Sequence, residues 1–79
     1  MDFKQLDLKG LNCPLPVMKA RRALARMRAG EGLEVHATDP MAQIDIPHMC
    51  NQDGHTLHGV ETQQDILVFR ITRGAVEGA

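Results

Sequence analysis

The sequence predicts an α+β two-layer sandwich, with two helices on one face of a four-stranded mixed sheet. Four segments alternate apolar and polar residues, two others carry apolar residues at helical spacing, and their order is strand, helix, strand, helix, strand, strand. A chain of 79 residues suits one compact domain and leaves no room for a second core. We therefore expect a single domain over residues 1–79, with a flexible tail from about residue 74 to 79.

The first half of the chain predicts a strand, a helix and a second strand. Residues 3–8 alternate weakly and end at Lys9-Gly10, and residues 33–39 (LEVHATD) alternate more clearly. Between them, a helix is expected from Pro14 to Arg28, because apolar residues fall on one helical face: Val17, Ala20, Leu24 and Met27. A right-handed crossover makes the two strands parallel, so the loops after them open at the same edge. Cys13 should therefore lie beside Asp39-Pro40.

The second half predicts a helical segment and a hairpin. Asp39 is the expected N-cap, with Pro40 in the first turn. Pro47 predicts a break, which leaves a short turn from Pro40 and a helix from about residue 46 to Gln52, with Gly54 as its C-cap. The expected buried face consists of Ala42, Ile46, Met49 and Cys50. Residues 55–63 and 65–73 then predict a hairpin with its turn at 63–65.

The segment GLNCPLP, residues 10–16, places a cysteine directly before a helix that starts with two prolines. If Cys13 is the N-cap, Pro14 is the first helical residue and Pro16 the third, which leaves the N–H groups of Leu15 and Val17 facing the cap. The helix dipole would then lower the pKa of the thiol, by less than about one unit. The prolines stiffen the turn and favour presentation of the sulfur to a partner. The alternative is that Cys13 is a small apolar filler.

Composition excludes several classes of protein. The net charge is −1, so no overall electrostatic attraction to nucleic acid is expected. The chain has no Trp or Tyr, so aromatic platforms on which bases could stack are not expected either. No segment resembles a signal peptide or a membrane span, which predicts a cytoplasmic protein without membrane contact. In a reducing cytosol the two cysteines are not expected to form a structural disulfide.

Three segments together resemble one family. LDLKGLNCPLPVMKARRAL, ATDP and IDIPHMCNQDGHTL fall in the order and spacing of the TusA/SirA small sulfur carriers, whose mark is Cys-Pro-X-Pro at the start of the first helix. The resemblance extends from Leu6 to about Arg73. It implies a fold like the C-terminal domain of initiation factor three, in agreement with the elements above.

The resemblance also implies a function. Cys13 would accept sulfane sulfur as a persulfide and pass it to another protein, with no cofactor beyond that covalent sulfur. It implies a donor that is a cysteine desulfurase or a rhodanese-like protein. It implies a DsrE-like relay acceptor, leading to transfer-RNA 2-thiouridine synthesis or to dissimilatory sulfur metabolism. The sequence supplies no general base paired with Cys13, so we expect a sulfurtransferase-type carrier, a monomer, without independent turnover.

The remaining candidate residues each have a structural alternative. An outward basic stripe on the first helix would dock an acidic partner or simply be solvated: Lys19, Arg22 and Arg26. Leu15 and Met18 would form an apolar collar beside Cys13 or pack in the core, and Asp39 would contact a partner or only cap its helix. Cys50 is expected to be a buried structural thiol. The four histidines match no compact metal site.

Two other classes of function remain open. A thiol-based redox or regulatory module predicts that Cys13 becomes oxidised rather than persulfurated. A nucleic-acid-binding domain, suggested by fold analogy alone, predicts salt-sensitive binding that survives the loss of Cys13.

Overall fold

The computed structural model describes residues 2–75, and its sheet and helices have the predicted architecture. The elements are β1 (Phe3–Leu8), α1 (Leu15–Ala25), β2 (Gly32–Ala37), α2 (Ala42–Asp53), β3 (Thr56–Gln63) and β4 (Ile66–Thr72). β1 pairs parallel with β2, whereas β4 pairs antiparallel with both β2 and β3. The order across the sheet is β1-β2-β4-β3. Both helices pack on one face, since their buried residues share one core cluster with those of the sheet. The predicted fold class and the parallel first pair are confirmed.

The core lies between that face of the sheet and the helices. In β2, Leu33, Val35 and Ala37 are fully buried, as the alternation predicts. They pair with the buried β4 residues Ile71, Phe69 and Leu67, respectively. The helices contribute the predicted buried residues Ala20, Leu24, Ala42, Ile46, Met49 and Cys50. Burying a side chain of the size of Leu or Ile is worth about 1.5–3 kcal/mol, so these contacts fix both helices on the sheet.

Helix α1 starts later and ends earlier than the sequence predicts. Pro14 is the N-cap, without a side-chain cap bond, so the prediction that Cys13 caps this helix is wrong. The N–H of Leu15 donates to the carbonyl of Asn12 at 2.8 Å, which removes one of the donors expected to face the sulfur. At the other end the N–H of Arg26 bonds the carbonyl of Ala23, three residues back, and this tighter turn ends the helix before Arg28.

Helix α2 is continuous, so the predicted break at Pro47 is wrong. Pro47 removes the backbone bond to the carbonyl of Gln43 and costs about 3 kcal/mol in a helix interior. Ile46 and Met49, on the buried side of the same turns, offset that cost because each is at most 1% exposed. Met41 is the N-cap rather than Asp39, and Gly54, with a φ of 79°, is the C-cap as predicted.

The hairpin is confirmed with a shorter turn than expected. Gln64 and Asp65 alone separate β3 from β4, and Gln64 has a φ of 59°. After β4, the N–H of Gly74 donates to Nδ1 of His55 at 3.0 Å. Residues 76–79 of the predicted tail lie outside the described residues. Within residues 2–75, no helix has both the length and the apolar character needed to cross a membrane.

Candidate functional site

The loop between β1 and α1 is bonded to the residues that follow β2. The N–H of Gly10 donates to Oγ1 of Thr38 at 2.9 Å, and the N–H of Cys13 donates to Oδ2 of Asp39. Gly10 has a φ of +85°, a conformation that glycine adopts at little cost. These two bonds hold Cys13 at the edge where β1 and β2 both end. The sequence-based expectation that Cys13 lies beside Asp39 is confirmed.

Asp39 connects three segments of this edge. Its Oδ2 accepts the N–H of Cys13, and its Oδ1 accepts the N–H of Met41 at 3.1 Å. Contrary to the prediction, Asp39 is therefore not the N-cap of α2. It lies two residues before the N-cap, Met41, and accepts a hydrogen bond from the backbone N–H of that residue. The same carboxylate thus fixes the position of Cys13 relative to the start of α2.

The sulfur of Cys13 is exposed and faces helix α2. Its thiol donates to Oδ2 of Asp45 with an Sγ–Oδ2 distance of 3.2 Å. This hydrogen bond raises the pKa of the Cys13 thiol, with smaller contributions from lost hydration and from the negative charges of Asp45 and Asp39. The pKa shift of Cys13 is therefore opposite in direction to the lowering expected from helix position alone, and the carboxylate of Asp45 is its main cause. The peptide bond between Cys13 and Pro14 is cis.

Asp45 is the functional residue that sequence reasoning missed. The predicted break at Pro47 placed residue 45 in an irregular turn, where its side chain had no expected direction. A continuous α2 instead puts Asp45 in the first turn, half-buried and directed at Cys13. The sequence shows a carboxylate five residues after Pro40, but only the continuous helix directs it at Cys13.

An exposed apolar rim lies near the starts of α1 and α2, at the end of the molecule that carries Cys13. Its members are more than two-fifths exposed, although they are large and apolar: Leu15, Met18, Met41 and Ile44. Leu15 lies two residues after Cys13. Met41 donates to Asp39, and Ile44 precedes Asp45, so the α2 members adjoin the two carboxylates that bind Cys13. Leu15 and Met18 are exposed as a collar requires, whereas Met41 and Ile44 were not predicted.

The basic stripe of α1 continues from the apolar rim. Lys19, Arg22 and Arg26 are exposed, and none of them forms an ion pair within residues 2–75. Arg21, on a different side of α1, instead donates to Oδ2 of Asp53 at 2.7 Å and so joins the two helices. Leu15, Lys19, Arg22 and Arg26 are spaced three or four residues apart, so one exposed face is apolar beside Cys13 and basic further along.

The second cysteine differs from the first in its burial. Cys50 is 2% exposed and packs in the core cluster on α2. Burial raises the pKa of its thiol to about 11, from an ordinary value of 9.0. Its placement confirms the prediction of a buried thiol. Over residues 2–75, no three His, Cys, Asp or Glu side chains converge on a position where they would hold a metal ion.

Comparison with known proteins places this arrangement in a family. The family model described as Sulfurtransferase TusA matches residues 4–73, which include the whole edge that carries Cys13. The chain belongs to the TusA/SirA family. The predicted family resemblance, from Leu6 to about Arg73, is thereby confirmed over its whole length.

Individual relatives agree with that assignment. The chain is 41% identical over 71 residues to "Putative sulfur carrier protein YrkI" of Bacillus subtilis, covering 90% of this chain and 95% of the relative. It is 42% identical over 69 residues to a Neisseria meningitidis protein that is also named as a putative sulfur carrier, covering 87% and 93%, respectively. The crystal structure of a SirA-like protein from Desulfitobacterium hafniense superposes with a TM-score of 0.80 at 25% identity, covering 91% of this chain and 99% of that one.

Proposed function

We propose that this TusA/SirA family protein carries sulfane sulfur as a persulfide on Cys13 and transfers it to a downstream protein. The observation that carries the proposal is the contrast between its two thiols. Cys13 is exposed at an edge built from two loops, whereas Cys50 is buried in the core. A carrier needs one thiol that reaches partner active sites, and within residues 2–75 Cys13 is the thiol that meets this need.

The loading step moves one sulfur atom between two thiols. The Cys13 thiolate attacks the terminal sulfur of a persulfide on the donor protein. The S–S bond of the donor breaks as the new S–S bond on Cys13 forms, and the donor cysteine leaves as a thiolate. The proton lost by Cys13 is balanced by the proton that the donor cysteine takes up. There is no net oxidation, so the transfer requires no cofactor.

The surface around Cys13 supports transfer between proteins rather than turnover of a small molecule. The thiol lies in a shallow groove between α1 and α2, bordered by Asp45, Arg21 and His48, which is open to solvent. The apolar rim supplies contact area at the thiol, and the basic stripe supplies attraction to an acidic partner surface. We therefore propose Leu15, Met18, Lys19, Arg22, Arg26 and Asp39 as partner-binding residues, and we add Met41 and Ile44.

The donor class follows from the chemistry of the step: a cysteine desulfurase or a rhodanese-like protein, each of which forms a cysteine persulfide. The proposed acceptor is a DsrE-like protein of a relay that ends in transfer-RNA thiolation or in sulfur oxidation. We propose that the carrier is a cytoplasmic monomer. A redox-sensing role for Cys13 is less well supported, because sensor cysteines are favoured by a lowered pKa and that of Cys13 is raised.

The test is loading by a purified cysteine desulfurase with cysteine, followed by intact and peptide mass spectrometry without reductant. One added sulfur on the Cys13 peptide is expected in the wild type and in Cys50→Ala, and none in Cys13→Ser. Because one sulfur and two oxygens have nearly the same mass, each sample is also treated with dithiothreitol, which removes a persulfide and leaves a sulfinic acid. Added mass that resists dithiothreitol, or that lies on Cys50, would contradict the proposal.

A further inference from the structure

The carboxylate of Asp45 makes different interactions with an empty and with a loaded Cys13. In the empty protein the thiol has a hydrogen to donate, and it donates to Asp45 across a distance of 3.2 Å. A loaded cysteine has no such hydrogen on Sγ, because that sulfur is bonded to the terminal sulfur. The terminal sulfur of a persulfide is more acidic than a thiol, so near neutral pH it carries negative charge.

Resting on the proposed function, we propose that Asp45 is a positioning residue that distinguishes the two states of the carrier: it holds the empty Cys13 thiol in the groove and repels the charged terminal sulfur outward. The second effect presents the cargo to a partner. The first keeps the empty thiol in its protonated and less reactive form.

The surroundings of Cys13 leave Asp45 free to act in this way. Asp45 forms no ion pair within residues 2–75, so its charge is not neutralised by a neighbouring cation there. Arg21 borders the same groove, but its guanidinium donates to Asp53 and Gln52. The other ionisable groups that border the groove or act on Cys13 are the exposed His48 and Asp39, which adds further negative charge. Lys9, after β1, pairs with Asp7 instead.

The size of the repulsion follows from the geometry. An S–S bond is about 2 Å long, so a terminal sulfur that points away from α2 lies about 5 Å from the Asp45 oxygen. Two unit charges about 5 Å apart in water repel by an amount that changes an equilibrium about fourfold. Any shielding from water makes the effect larger. This disfavours the loaded state without preventing loading, and a terminal sulfur that points towards α2 is repelled more strongly, which biases it outward.

The first experiment tests the hold on the empty thiol and needs no sulfur donor. Reduced protein is alkylated with iodoacetamide across a pH series, and the Cys13 peptide is quantified. The variants are Asp45→Asn, the charge-conserving Asp45→Glu, and Asp65→Asn in the exposed hairpin turn as the matched control. We expect Asp45→Asn to shift the alkylation profile to lower pH, and Asp65→Asn to leave it unchanged. Asp45→Glu should remain nearer the wild type. A profile unchanged in a folded Asp45→Asn protein would overturn the inference.

The second experiment tests the release of the loaded sulfur. Wild type and Asp45→Asn are equilibrated with glutathione and glutathione persulfide, an exchange that moves one sulfur between two thiols. We expect the ratio of loaded to empty Cys13 to rise at least about fourfold in Asp45→Asn, because the variant loses the repulsion of the loaded sulfur and also the hold on the empty thiol. An equal ratio in the two proteins would overturn the inference that Asp45 repels the loaded sulfur. A wild type that never loads, with the alkylation profile still shifted, would overturn the proposed function while leaving the hold on the thiol established.

Discussion

Replacing Asp39 tests whether one carboxylate joins the Cys13 loop to the start of α2. Its two oxygens accept two different backbone N–H groups, those of Cys13 and Met41. A hydrogen bond to a charged group contributes about 1.5–3 kcal/mol, and since Asp39 is partly exposed we take about 1 kcal/mol for each. Asp39→Ala loses both bonds and should destabilise the protein by about 2 kcal/mol. Asp39→Asn keeps one carbonyl acceptor and should cost about 1 kcal/mol.

The assay is thermal and urea unfolding followed by far-ultraviolet circular dichroism, because the chain has no Trp or Tyr to report by fluorescence. In a domain of this size, about 1 kcal/mol corresponds to a change in Tm of about 4–8 °C. The expected order of stability is wild type, then Asp39→Asn, then Asp39→Ala, with Asp65→Asn as a control that matches the wild type. Equal stability of the Asn and Ala variants, or no loss in either, would refute the two-oxygen argument.

Three further outcomes are expected. Cys50→Ala should lower the free energy of unfolding by about 1–2 kcal/mol in urea titrations, because the substitution leaves a small cavity in the core. The variant should still load sulfur. Loss of loading in the folded variant would contradict a packing role for Cys50. Because the pKa of Cys50 is raised in the folded protein, its thiol ionises at lower pH in the unfolded chain than in the folded one. Its contribution to stability is therefore complete below about pH 9 and is lost as the pH rises towards about 11. The stability of Cys50→Ala should lack this part of the decline at alkaline pH. Arg22→Glu should slow loading by about two- to tenfold at low salt, with Lys4→Glu as the matched control, and a rate that is unaffected would argue that the stripe is only solvated.

The fold could be predicted from the sequence because its signals are local. The alternation of Leu33, Val35 and Ala37 sets the buried face of β2, and a right-handed crossover then makes β1 parallel to it. That geometry was sufficient to place Cys13 beside Asp39. The position of Gly54 shortly after the last residues of an apolar helical face, Met49 and Cys50, was likewise enough to locate the end of α2.

The parts that failed depend on tertiary contacts. Pro47 predicts a helix break from local cost alone, whereas burial of Ile46 and Met49 keeps the helix continuous. The cap of α1 was misplaced because the N–H and the sulfur of Cys13 both bind carboxylates that are distant in sequence. For the same reason the predicted direction of the Cys13 pKa shift was wrong: the helix dipole is visible in the sequence, but the approach of Asp45 is not.

The most direct test of the central claim is to follow one sulfur atom onto Cys13 and off again. Protein loaded by a desulfurase is separated from donor and cysteine, mixed with an excess of a DsrE-like acceptor, and sampled over time by peptide mass spectrometry without reductant. We expect the added sulfur to leave the Cys13 peptide and appear on an acceptor cysteine at the same rate, with Cys50 unmodified throughout. Sulfur that never reaches Cys13 in the wild type, or that reaches the acceptor equally well through Cys13→Ser, would contradict the account.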